Sequence, residues 1–169
     1  RNLSPFTPSS LSSVDQVSFA DVAQWVNPSL VSVVSTKIVD LNQVDEDMES
    51  WYPLRPEDES GKRKSLGYGS GFILESRGLI VTNQHVIDDS RQIVVRLSDG
   101  SEYPADLIGA DTETDLALMK IRPKRRLEAA RLGNSDELRV GDWVMAVGNP
   151  YNYEHSVTVG VVSAKDRKI

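Results

Sequence analysis

From Gly67 to Ala164 the chain is a series of short apolar runs separated by turn residues, and this spacing limits the fold more than any other feature. The runs are 69–74, 79–82, 92–97, 102–108, 116–121, 138–148 and 156–164. Many short strands, spaced about 8–12 residues apart with turn residues between them, predict a closed barrel or a sandwich. Glu75-Ser76-Arg77-Gly78 and Ser98-Asp99-Gly100-Ser101 read as turns, and Asp-Gly between alternating runs is a strong hairpin signal. The fold class is all-β.

The part before Gly67 is less regular. Residues 1–16 are rich in serine, with Pro5 and Pro8, and form a flexible arm whose one large aromatic is Phe6. Two readings stay open for it: a disordered tail, or an arm that docks Phe6 on a neighbouring subunit. Ser18 to Val26 is predicted to be a short helix. Ser18 and Asp21 make a capping box, and Phe19, Val22, Ala23 and Val26 share one face. Asn27-Pro28 ends it. Leu30 to Val39 alternates as a strand, with Val31, Val33 and Ser35 on one side.

Residues 40–65 break the composition. Eight acidic residues between Asp40 and Glu59 precede the basic trio Lys62-Arg63-Lys64, and Pro53 and Pro56 interrupt any strand. The expectation is a long loop, either solvated or regulatory. Met48, Trp51, Tyr52 and Leu54 give it a small apolar cluster.

The net charge of −6 argues against non-specific nucleic-acid binding, which requires a basic footprint. With no cysteine there is neither a disulfide framework nor a thiolate metal site. No run of about 18 apolar residues is present to span a membrane. The first residue is Arg1, and no apolar leader follows it, so a processed or trimmed chain whose export signal has been removed is expected.

Chemistry concentrates in two stretches. Ile80-Val81-Thr82-Asn83-Gln84-His85-Val86 is an apolar strand that runs out into polar residues and a histidine. Asp111-Thr112-Glu113-Thr114-Asp115-Leu116 is an acidic turn entering another apolar strand. A histidine base and an orienting carboxylate in that chain order fit the His…Asp…Ser order of a serine-protease triad. Asp111 and Glu113 compete with Asp115 for the carboxylate's part, but the apolar run starts directly after Asp115, which puts it at the strand mouth. No nucleophile serine is found. Ser70, between two glycines, precedes His85 and opens a strand. Ser135, in Gly133-Asn134-Ser135, is followed by Asp136 and Glu137, whose charge opposes a developing oxyanion, so it reads as the cap of a turn. His155, beside Tyr151 and Tyr153, reads as a surface residue or a binding residue.

Four segments in register, Gly-Ser-Gly-Phe-Ile at 69–73, Ile-Val-Thr-Asn-Gln-His-Val at 80–86, Asp-Thr-Glu-Thr-Asp-Leu-Ala-Leu at 111–118 and Val-Thr-Val-Gly-Val-Val-Ser at 157–163, resemble the HtrA/Deg family of trypsin-like serine endoproteases. The resemblance covers roughly residues 17 to 169, with the acidic insertion where that family carries a variable loop.

The resemblance implies a chymotrypsin-like double β-barrel with a short N-terminal helix. The first barrel would occupy 17–125 and the start of an incomplete second barrel 126–169. It implies His85 as general base and Asp115 as its orienting acid, with the serine on a stretch not among these residues: on another chain, lost by cleavage, or further along the protein. It also implies no metal, cofactor or ATP, an extracytosolic (periplasmic) location, unfolded or damaged proteins as substrates, and a homo-trimer or larger assembly built through the region of Phe6, Phe19 and Trp25. The alternative is a non-catalytic chaperone or protein-binding module of the same fold.

Overall fold

A computed structural model describes residues 18–40, 62–148 and 156–165. The arm with Phe6, the Met48, Trp51, Tyr52 and Leu54 cluster, and His155 lie outside the described residues.

Helix α1 (Phe19–Val26) begins at Ser18 with the expected capping box. The Ser18 side chain accepts from the backbone of Ala20, and the Asp21 side chain accepts from the Ser18 amide. A single 3-10 turn at Asn27–Ser29, holding Pro28 in its first turn, leads into β1 (Leu30–Asp40). Seven strands then form one sheet: β1, β2 (Lys62–Glu75), β3 (Leu79–Asn83), β4 (Gln92–Leu97), β5 (Glu102–Pro104), β6 (Asp106–Asp111) and β7 (Leu116–Lys120). Their order in space is β5-β4-β1-β2-β3-β7-β6, and every neighbouring pair runs antiparallel.

The two outermost strands, β5 and β6, are joined by the single residue Ala105, so the sheet must bend round on itself. The sequence reading had one strand over 102–108. Pro104 has no amide to continue a ladder. The chain changes partner there: β5 lies on β4, Ala105 donates its amide to the Ile93 carbonyl at 3.0 Å, and β6 lies on β7. The loop boundaries also shift. β1 and β2 pair from Leu30↔Phe72 out to Asp40↔Lys62, so 62–65, expected to be loop, are strand.

The curled sheet encloses the core. Alternate residues point inward, as a period of two requires. Val31 and Val33 of β1, Ile73 of β2, Ile80 of β3, Val95 of β4 and Met119 of β7 are all buried, joined by Ile121 and by Leu127 from the connector after β7. Each such side chain contributes about 1.5–3 kcal/mol by leaving water. The connector is held against the end of β2 and the turn after it by backbone bonds from Ala130 to Ile73 and from Leu127 to Ser76. Gly78 turns the β2–β3 hairpin with φ +91°, and a side chain there would collide with the Ile121 carbonyl.

A second, two-stranded sheet pairs β8 (Trp143–Gly148) with β9 (Ser156–Val161). Both strands are shorter than the apolar runs that predict them. A turn at Arg139–Asp142, with Gly141 at φ +96°, occupies the start of the first run. The ring of Trp143 lies 5.8 Å from that of Phe19 and ties the hairpin to α1.

Candidate active site

The pair singled out in the sequence is built from three elements. β3 ends at Asn83, and the chain turns at once into α2 (Gln84–Ile87), a single helical turn that carries His85. Asp115 is the last residue before β7, and Asn83 and Leu116 are directly paired in the β3–β7 ladder. That register places the residue after β3 and the residue before β7 side by side. The sequence reading had the histidine directly following a strand. The four-residue helix between is too short to show a periodic pattern.

His85 and Asp115 meet in two ways. The His85 Nδ1 lies 2.7 Å from Asp115 Oδ2, and the His85 backbone amide donates to Asp115 Oδ1 at 3.0 Å. The Asp115 carboxyl is held below its ordinary pKa chiefly by that backbone bond; desolvation opposes it, and the imidazole and the Asn83 amide add smaller lowering effects. It is therefore ionised at neutral pH and can only accept. Whenever the imidazole is neutral, the shared proton sits on Nδ1 and Nε2 keeps the lone pair. Among the described residues no group bonds Nε2. The side chains are 69% and 41% exposed, so the imidazole's outer edge is open to a further group.

Asp115 sits in the left-handed region, φ 52°, which aspartate tolerates better than most residues. Its own carbonyl accepts from the Gln84 amide at 3.1 Å and from the Asn83 side chain at 3.2 Å. Asn83 also donates to Asp115 Oδ2 at 3.1 Å. The sequence reading missed this residue. Its signal was a side-chain amide at a strand end, two places before the histidine.

The competing acids are used elsewhere. Asp111 accepts from the Glu113 amide at 3.0 Å and from the Thr114 hydroxyl at 2.7 Å, which closes the acidic turn. Glu113 is exposed. Of the serines considered, Ser70 lies within β2, where its carbonyl accepts from Thr82 at 2.8 Å. Ser135 opens a 3-10 turn whose cap is Asn134, not Ser135 as the sequence suggested; the Asn134 side chain reaches the Asp136 amide at 3.1 Å. A small cleft of about 170 Å³ is bordered by Asn83, Leu116, Phe72 and Val147, with neither His85 nor Asp115 in its lining. A larger one, about 760 Å³, lies among α1, the 128–132 connector and β8, and includes neither His85 nor Asp115.

Residues 69–168 match the family model of the trypsin-like peptidase domain. A protein from Ectopseudomonas mendocina named a probable periplasmic serine endoprotease DegP-like is 50% identical over 118 residues, covering 69% of this chain and 25% of its own length. Proteins of the same name from Rickettsia conorii and Chlamydia pneumoniae are 39% and 46% identical, over 96% and 73% of this chain and 34% and 25% of theirs. The chain thus spans about a quarter to a third of the length of these curated relatives. The seven-stranded sheet is the first barrel of a chymotrypsin-like double barrel, and β8–β9 belongs to the second. The chain belongs to the trypsin-like peptidase family, in its HtrA/Deg branch.

Proposed function

We propose that this chain supplies the general base and the orienting acid of a DegP-like serine endoprotease, His85 and Asp115, and that a serine from polypeptide outside these residues completes the site. The observation that carries the reading is the paired contact of Asp115 with both the ring and the backbone of His85. In the reaction Nε2 takes the serine hydroxyl proton as the hydroxyl attacks the scissile carbonyl, then returns it to the leaving amine. Asp115 holds the tautomer and stabilises the imidazolium formed between those steps.

The domain division follows: an arm over 1–16, the first barrel over 17–125, and the start of the second from 126 onward. By kinship with relatives named as periplasmic endoproteases, the whole protein works in the periplasm on unfolded or damaged proteins, without ATP or metal. It assembles as a homo-trimer or larger oligomer. Removing the nucleophile from a triad costs on the order of a millionfold in turnover, so these residues alone are inactive.

The test uses the full-length protein, a fluorophosphonate probe and unfolded casein. The expected result is one labelled serine and casein cleavage, both lost in His85→Ala while the thermal midpoint is kept. Casein cleavage by His85→Ala at the wild-type rate overturns the reading. So does casein binding without labelling, which assigns the fold to a chaperone.

A further inference from the structure

A single helical turn cannot hold its own shape, because nucleating it fixes several dihedrals for one hydrogen bond. The position of His85 is therefore set by whatever grips α2. Asp115 grips it from one side, through the amides of Gln84 and His85. The next residue, Val86, is gripped from the other side by the sheet.

There the Ser35 hydroxyl of β1, fully buried, donates to the Val86 carbonyl at 2.7 Å across a separation of 51 residues. Ser35 occupies an inward position in line with Val31 and Val33, where the alternation would otherwise place a branched apolar side chain. Facing it on β2 is Gly67, whose register partner is Ser35 and where any side chain would run into the Ser35 hydroxyl. Two residues on, Gly69 leaves the space that Val86 fills. A Cβ at 69 would lie 2.5 and 2.6 Å from the two γ-methyls of Val86, well inside contact distance. Three consecutive residues of α2 are thus fixed by groups distant in sequence, two by Asp115 and one by the Ser35–Gly69 seat.

We propose that Ser35 and Gly69 are positioning residues for the His85 imidazole. The hydroxyl fixes the Val86 carbonyl, the missing side chain at 69 admits the Val86 methyls, and together they set the distance and angle at which His85 meets Asp115. The inference rests on His85 acting as the general base.

Cleavage by the full-length protein, with kcat expressed per titrated active site, tests it. Ser35→Ala deletes one oxygen without adding bulk, and Gly69→Ala pushes on Val86. Displacements of this order at a reacting group cost about tenfold to a hundredfold in rate. Both variants are expected to lose that much in kcat with KM unchanged. Adding Val86→Ala to Gly69→Ala removes the two colliding methyls and is expected to recover most of the loss. A merely structural seat would lower the thermal midpoint and leave kcat per active site alone. Wild-type kcat in Ser35→Ala overturns the inference, as does failure of Val86→Ala to restore Gly69→Ala. If His85→Ala itself still cleaves, it is the general-base reading that fails. If His85→Ala is dead while Ser35→Ala and Gly69→Ala turn over normally, only the positioning role is lost.

Discussion

The two sheets bury their apolar side chains very differently, although β6 of the first is exposed throughout. In the first, Val33, Ile80, Val95 and Met119 have no exposed surface. In the second, Trp143 is 68% exposed, Val161 49% and Val159 37%, and every residue of β9 is open to solvent. Strand-forming residues select the extended backbone in both places. Burial comes from a facing layer. The first sheet provides its own by curling until β5 and β6 share a corner. β8–β9, part of the second barrel, has no further strand to curl with among the described residues, and two strands alone are marginal in water. The proposed site belongs to the self-sufficient region: both its side chains, and every group that orients them, come from the first sheet and its connections.

That contrast can be broken by substitution. Ile80→Ala opens a cavity in a closed core and is expected to cost about 2–5 kcal/mol, measured by urea unfolding. Val159→Ala removes two methyls from a side chain that is 37% exposed and is expected to cost less, about 1 kcal/mol or under. A comparable cost at both positions would mean that the hairpin shares the core's cohesion.

A smaller effect, spread over both regions, comes from acid. Asp99 is held below its ordinary pKa by the Ser101 hydroxyl and the Arg125 guanidinium, Asp111 by Thr114 and the Glu113 amide, and Asp142 by Arg139. In each case the unfolded chain takes up the proton at higher pH than the folded chain. Stability is therefore full above the ordinary carboxylate range and is lost as pH drops from that range through the lower folded values. All three groups are exposed to screening, so the fall is shallow. Asp99→Asn should flatten it in urea titrations, and an unchanged slope would remove Asp99 from the cause.

The β runs, the capped helix and the His85–Asp115 pair were legible in the sequence because each rests on a local pattern: alternation, a capping box, a polar strand end. What escaped depends on partners remote in the chain. The break at Pro104-Ala105 was hidden because 102–108 has no turn pair such as Asp-Gly inside it, and the exchange of neighbours, β4 for β7, is what divides it. The strand over 62–65 was masked by its charges, which say nothing about pairing with β1. α2 is shorter than one period of any helical pattern. Ser35 looked like an imperfect member of an apolar face, and its purpose appears only when Val86 is brought above it by the β1–β2–β3 order.

The central claim is that Asp115 orients His85 for proton transfer, and turnover of Asp115→Asn in the full-length protein tests it most directly. An amide keeps the side chain's size but can present a donor where the carboxylate accepts, which disfavours the productive imidazole tautomer. The account predicts a drop of about 10⁴ in kcat on unfolded casein, with KM and the thermal midpoint close to wild type. A kcat within a few-fold of wild type would contradict it.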